Sequence, residues 1–154
     1  MNLRKRLKDH IKAKERKAAI ILVVGHHTIA FGMSSHQEFF AKLDQMCASS
    51  QLRIDRPRAS QHPRIPQAIY PVDYGYLEGT TGGDGDGVDV FKGSEEGVGI
   101  VGVILTADLE KKDVEVKILW DCTNEEVKQI QELLGQVLSI GGLLVRRQLD
   151  VAPE

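Results

Sequence analysis

Two stretches of the chain repeat their apolar residues at three- and four-residue intervals. In the first, Phe39, Phe40, Leu43, Met46 and Cys47 define one face of a helix over 35–48. "SHQE" opens it as a capping box, with Ser35 at the N-terminus and Glu38 reaching back. The second begins at "TNEE", another capping box, and turns Val127, Ile130, Leu134, Val137 and Leu138 toward a core. Elsewhere the pattern shortens to strand-like runs: "LRIDR" (52–56), "AIYPVDYGYL" (68–77), "VDVF" (88–91), "GIVGVILTADL" (99–109), "DVEVKILW" (113–120) and "GGLLVRR" (141–147). Pro71 confines the second run to an edge or a bulge. The run 113–120 alternates, with Asp113, Glu115 and Lys117 on one face and Val114, Val116 and Ile118 on the other. "PRASQHPRIP" (57–66) holds three prolines and reads as a loop. Many short strands, Gly-rich turns and two helices predict an α+β, mainly β protein: a small closed OB-like β-barrel with two packed helices.

Length and charge narrow the picture. A chain of 154 residues, 42% hydrophobic and 27% charged, is sized for one globular core. Cys47 and Cys122 match no metal-ligand spacing and no disulfide framework, which points to a reducing, cytoplasmic setting. The net charge of −2 hides an asymmetry: residues 1–32 carry eight Lys/Arg against Asp9 and Glu15, so they hold +6 and the remainder −8. The apolar "AAIILVV" inside that leader is far short of the roughly 20 residues of a membrane span, and no small-residue cleavage site follows it. A basic helix touching membrane or nucleic acid is the weaker reading of 1–32. The favoured one is a dispensable, poorly ordered extension, with "MSSHQEFF" from Met33 resembling a natural start and 33–154 forming the domain. His26 and His27 are read as solvated loop histidines. An acidic domain suits cation binding better than nucleic acid, whose affinity rests on basic residues.

The candidate chemistry centres on "YPVDYGYLEGTTGGDGDGVDVF" (70–91), which places Asp84, Asp86 and Asp89 within six positions. Such a cluster of like charges is unfavourable unless a positive partner occupies it, and a hard divalent cation takes oxygen ligands. An EF-hand loop does not fit, because Val88 and Asp89 fall at the fifth and sixth loop positions. Asp108 and Asp113 flank "LEKK"; if those residues form a hairpin loop, the two carboxylates face each other across paired strands. Arg56, Arg58 and Arg64, with Tyr70, Tyr74 and Tyr76, bring cationic forks and hydroxyls close to the acidic turn in sequence, and guanidinium matches phosphate geometry.

The order "DR…YPVDYGY…DGDGVDV…D(x4)D" resembles the soluble family I inorganic pyrophosphatases over roughly residues 52–120. The signature turn of that family, Asp-x-Asp-(Pro/Glu)-apolar-Asp-apolar, is met at six of seven positions, Gly87 being the exception. The resemblance implies Mg²⁺-dependent hydrolysis of pyrophosphate to two phosphates on an OB-like barrel. It implies Asp84, Asp89, Asp108 and Asp113 as metal ligands, with Asp86 helping to hold the metals and accepting a proton from the attacking water. Arg56 and Tyr74 would contact phosphate oxygens, and Tyr70 stands at an active-site tyrosine of the family.

The chain departs from that pattern in three places. Helix 35–48 replaces an N-terminal strand that bears glutamates and a lysine. Glu115 stands where a lysine is expected, leaving Lys117, one pleat further on the same face, as the substitute. The late Tyr-Lys pair is absent, with Arg146 and Arg147 as stand-ins on charge alone. The alternatives are a phosphohydrolase acting on another phosphoanhydride, or a metal- or phosphate-binding module without turnover. An oligonucleotide-binding OB-like domain ranks last, since only 5% of residues are aromatic. The expected partners are pyrophosphate and phosphate, with no nucleic acid and no membrane. Apolar helix faces that pack internally or against a second copy leave a homo-oligomer open.

Overall fold

The computed structural model describes residues 19–24 and 27–148. The chain divides into two units between Phe39 and Phe40. In the first, β1 (Ala19–Val24) pairs antiparallel with β2 (His27–Gly32), in register from Ala19↔Gly32 to Val24↔His27. This pairing lies inside the segment expected to be an extension; the basic residues 4–17 and His26 fall outside the described residues. Helix α1 (Ser35–Ser49) starts here, and its cap sits one residue earlier than the sequence suggested. Ser34 Oγ accepts from Gln37 N (3.2 Å), and Gln37 Oε1 accepts from Ser34 N (2.9 Å). The reciprocal geometry is that of a capping box, made by the Ser34/Gln37 pair.

The second unit is a mixed sheet of six strands with helices on it, an α+β fold that is mainly β. Its strands are β3 (Leu52–Arg56), β4 (Asp73–Leu77), β5 (Val88–Lys92), β6 (Ile100–Asp108), β7 (Asp113–Trp120) and β8 (Gly141–Arg146). Their order is β3-β4-β5-β7-β6-β8; only β5 and β7 run parallel. Strand β4 is shorter than the run 68–77 suggested: residues 68–70 stay in the preceding loop, tied to it by the Gln61↔Ile69 bridge.

The sheet is open, which corrects the expected closed barrel. Edge strands β3 and β8 do not pair with each other. The reason is visible in the central strands, where adjacent residues are buried on opposite faces: Val90 and Phe91, Val103 and Ile104, Ile118 and Leu119 are all at most 1% exposed. A sheet apolar on both faces needs cover on both, and a layer on each side provides it. Phe40, Leu43 and Cys47 of α1 pack with Leu77, Val90, Val103 and Ile118. On the other face, Val127 and Ile130 of α2 (Asn124–Glu132) join Ala68, Tyr70 and Val72 over Phe91, Ile104 and Leu119. Thr123 caps α2 with Glu126 as the sequence suggested, and the last turn, Leu133–Val137, widens to a π-helix. Leu133 and Leu134 stay buried there, whereas Val137, expected in the core, is 38% exposed.

Candidate functional site

The face of the sheet under α2 changes character along the strands. Pleating puts Tyr74 and Tyr76 of β4, Asp89 and Phe91 of β5, and Glu115, Lys117 and Leu119 of β7 on the same side. Register aligns them: Tyr74 with Phe91, Tyr76 with Asp89, and Asp89 with Lys117. The end holding Phe91 and Leu119 is core beneath α2. The other end is polar and opens as a cleft of about 460 Å³, lined by Asp55, Arg56, Tyr74, Tyr76, Asp84, Asp86, Asp89, Lys111, Glu115 and Lys117.

The acidic turn reaches this cleft because its glycines allow close approach. A Cβ on Gly83 would lie 2.1 Å from Val114 O, so the loop docks directly on the start of β7. A Cβ on Gly87 would lie 2.7 Å from Tyr76 Cδ2 and 2.8 Å from Leu77 O. The Pro or Glu of the resembled signature has no room there, which accounts for the one mismatch in "DGDGVDV". Thr80 latches the loop, donating to Leu77 O (2.7 Å) and accepting from Val88 N (2.9 Å). Within it, Asp84 Oδ1 accepts from Asp86 N at 3.0 Å.

Lys117 sits at the centre of the charge arrangement, 5% exposed. Its Nζ donates to Asp89 Oδ2 (2.5 Å), to Glu115 Oε2 (2.9 Å) and, more weakly, to Tyr74 OH (3.4 Å). Burial by itself would depress this ammonium, but Asp89 and Glu115 outweigh it and hold the lysine above its ordinary range. Burial raises Glu115, with Lys117 offsetting only part of the rise. Asp84 goes the other way, lowered first by the Asp86 N–H and further by a hydrogen bond with Glu115. Two neighbouring carboxyls thus have environments that push them apart, one toward the acid and one toward the carboxylate. Tyr74 is driven far upward by burial and then by Asp89, so it remains a neutral phenol. It stacks on Tyr70 (5.3 Å between centroids) and tilts against Phe91 (4.8 Å).

Arg56 enters from the end of β3 beside Asp55 (3.3 Å), and its buried Nε has no acceptor among the described residues. A buried guanidinium N–H without an acceptor is costly, and an anion's oxygen would satisfy it.

Of the residues singled out in the sequence, Asp84, Asp86, Asp89, Arg56, Tyr74 and Lys117 meet at the cleft. Tyr70 is buried beneath Tyr74 and does not line it. Asp108 and Asp113 do face each other across β6–β7, but neither is a lining residue. Asp113 Oδ1 is buried without a hydrogen-bond partner, and Asp108 Oδ1 accepts from Glu110 N and Lys111 N. Arg146 and Arg147 line a separate cleft, where Arg147 forms a two-pronged pair with Asp44 (2.8 and 2.7 Å). Glu115 and Lys111 were missed as site residues. The alternation of β7 already put Glu115 on the face of Lys117; nothing local distinguishes Lys111 from Lys112.

The donor set suits a hard divalent cation: five carboxylates against three cations line the cleft, formally two net negative charges. Among the described residues no three such groups yet converge on one point. Asp84 and Asp86 are both exposed. No family model, no curated protein and no solved structure matches the chain. Among the described residues no helix is long and apolar enough to cross a membrane.

Proposed function

We propose that the cleft binds a Mg²⁺-chelated condensed phosphate and hydrolyses its phosphoanhydride bond, with inorganic pyrophosphate as the substrate. The observation that carries this reading is the meeting, in one cleft, of the carboxylates Asp84, Asp86, Asp89 and Glu115 with an arginine whose buried Nε–H lacks an acceptor. Its volume falls in the roughly 300–1,000 Å³ range of small-molecule sites. The resemblance of "DGDGVDV" to the pyrophosphatase signature supports the same assignment.

Mg²⁺, held by Asp84, Asp86 and Asp89, would supply an acidified water and neutralise phosphate charge. The protein's own groups divide the remaining work. Arg56 and the neutral Tyr74 hydroxyl donate to phosphate oxygens. Asp86, exposed on the loop, takes the proton of the attacking water. Lys117 keeps Asp89 and Glu115 from repelling each other and fixes the Tyr74 hydroxyl from below. Cys47 and Cys122 are free and buried, which agrees with a reducing compartment such as the cytoplasm.

One observation favours a second reading. Lys117 already neutralises Asp89 and Glu115, so a module that binds phosphate through Arg56 without turnover would need no metal between those two carboxylates. Phosphate release from pyrophosphate, with and without Mg²⁺ and beside Asp86→Asn, separates the two. Mg²⁺-dependent release that disappears in the folded variant supports hydrolysis. Release that is absent in the wild type, or undiminished in the variant, removes the proposed mechanism.

A further inference from the structure

The turn between β6 and β7 carries a cation that the pyrophosphatase resemblance does not include. Residues 109–112 reverse the chain with little apolar anchorage, since Leu109 is 90% exposed. Their conformation is set instead by Asp108, whose Oδ1 accepts from Glu110 N (2.9 Å) and Lys111 N (3.0 Å). Lys112 completes the reversal in the left-handed region (φ 59°). This is a side chain building its own turn, a role for which aspartate is well suited. Of the two adjacent lysines, Lys111 lines the cleft and Lys112 does not.

Lys111 has no ion-pair partner within 4 Å among the described residues, yet its charge bears on Asp84 inside the cleft. It also acts, together with Arg56 and Arg64, on His62, which stacks on Tyr70 at 6.3 Å. Lys111 from the β6–β7 turn and Arg56 from the end of β3 therefore both line an otherwise acidic cleft. An ammonium and a guanidinium that reach one cleft from separate segments can each donate to the oxygens of a bound phosphate.

We propose that Lys111 is a phosphate-binding residue of this cleft and that Asp108 is a positioning residue, shaping the turn that delivers the lysine. The proposal rests on the cleft being a condensed-phosphate site. Lys111 from the β6–β7 turn and Arg56 from the end of β3 grip the phosphate from two separate segments. A flexible ammonium at an exposed turn can follow the phosphate as it enters, unlike the buried and doubly paired Lys117.

The test uses the full chain and two readouts, steady-state hydrolysis of Mg-pyrophosphate and calorimetric binding of pyrophosphate in the presence of Mg²⁺. Losing one charge-assisted phosphate contact should weaken binding roughly tenfold. Lys111→Gln is expected to raise KM and Kd by that factor with kcat little changed, Lys111→Arg to recover most of the loss, and Lys112→Gln to behave as wild type. Asp108→Asn keeps the acceptor oxygen and should stay near wild type. Asp108→Ala should follow Lys111→Gln without altering the Mg²⁺ requirement. Unchanged binding in Lys111→Gln overturns the role of Lys111. A tenfold higher Mg²⁺ requirement in Asp108→Asn overturns the positioning role and makes Asp108 a metal ligand. Binding without hydrolysis in the wild type would sink the pyrophosphatase reading alone, whereas absence of both would sink the reading and the inference together.

Discussion

Replacing Lys117 by methionine removes a buried ammonium while keeping nearly the same length of apolar stem. What remains is Asp89 aligned with residue 117 across β5–β7, and Glu115 two residues away on the same face. The side chains of Lys117, Glu115 and Asp89 are only 6%, 10% and 19% exposed, so solvent screens their loss poorly. Removing one partner of such a buried pair costs about 3–5 kcal/mol. That is a large share of the roughly 5–15 kcal/mol that stabilises a typical domain. At about 3 °C per kcal/mol for this size of chain, the melting temperature should drop by ~10 °C at pH 7.5.

The pH dependence sharpens the test. Glu115 is already raised above its ordinary 4.5 in the folded protein, and losing Lys117 raises it further. A raised carboxyl contributes stability that is fully present below the unfolded pKa and lost as pH rises through the folded one. The deficit of the variant should therefore shrink on acidification toward pH 4.5 and grow toward neutrality. Urea unfolding followed by the fluorescence of Trp120, the sole tryptophan and itself on β7, measures both. The double variant Lys117→Met/Glu115→Gln should recover part of the loss at pH 7.5. A Lys117→Met protein as stable as wild type at pH 7.5, or one with a pH-independent deficit, would refute this account of the charge cluster.

Two further outcomes follow from the packing. Gly87→Glu restores the resembled signature but places a Cβ 2.7 Å from Tyr76, so it should destabilise by about 1–3 kcal/mol in thermal unfolding; combining it with Tyr76→Ala should relieve part of that cost if the clash is the cause. Glu126 accepts from Thr123 N (2.9 Å), Ser94 Oγ (2.6 Å) and Ser94 N, and Arg58 lies 3.5 Å away. Burial would raise its pKa, but the Ser94 and Thr123 bonds win and hold it below the ordinary glutamate value. Its stabilisation is thus present above about pH 4.5 and lost as pH falls through the folded pKa. Glu126→Ala should cost about 2 kcal/mol at pH 7 and progressively less in acid, measured by urea titration; a cost that grows on acidification would contradict this sign.

Local rules acted within single segments and were readable there. The alternation of "DVEVKILW" put Glu115 and Lys117 on one face because side chains of a strand point to opposite sides in turn, and β7 obeys it from Asp113 to Trp120. The Thr123–Glu126 capping box needs only four consecutive residues and was equally legible. So was the density of carboxylates at Asp84, Asp86 and Asp89. Closure of the sheet was not, because it depends on how many sides of β5, β6 and β7 must be covered, and an apolar run reads alike in a barrel or between helix layers. Register decided which charges meet: Lys117 became the partner of Asp89 only when β5 and β7 aligned in parallel. The same holds for Lys111 over Lys112, chosen by a turn that Asp108 holds in place, and for Gly87, required by a tyrosine eleven positions earlier that the sheet brings against it. The amino-acid sequence by itself determined the elements, their faces and the kinds of chemical group available. The tertiary structure decided which of those groups share a cleft, because contacts between distant segments depend on strand order and register rather than on neighbours in the chain.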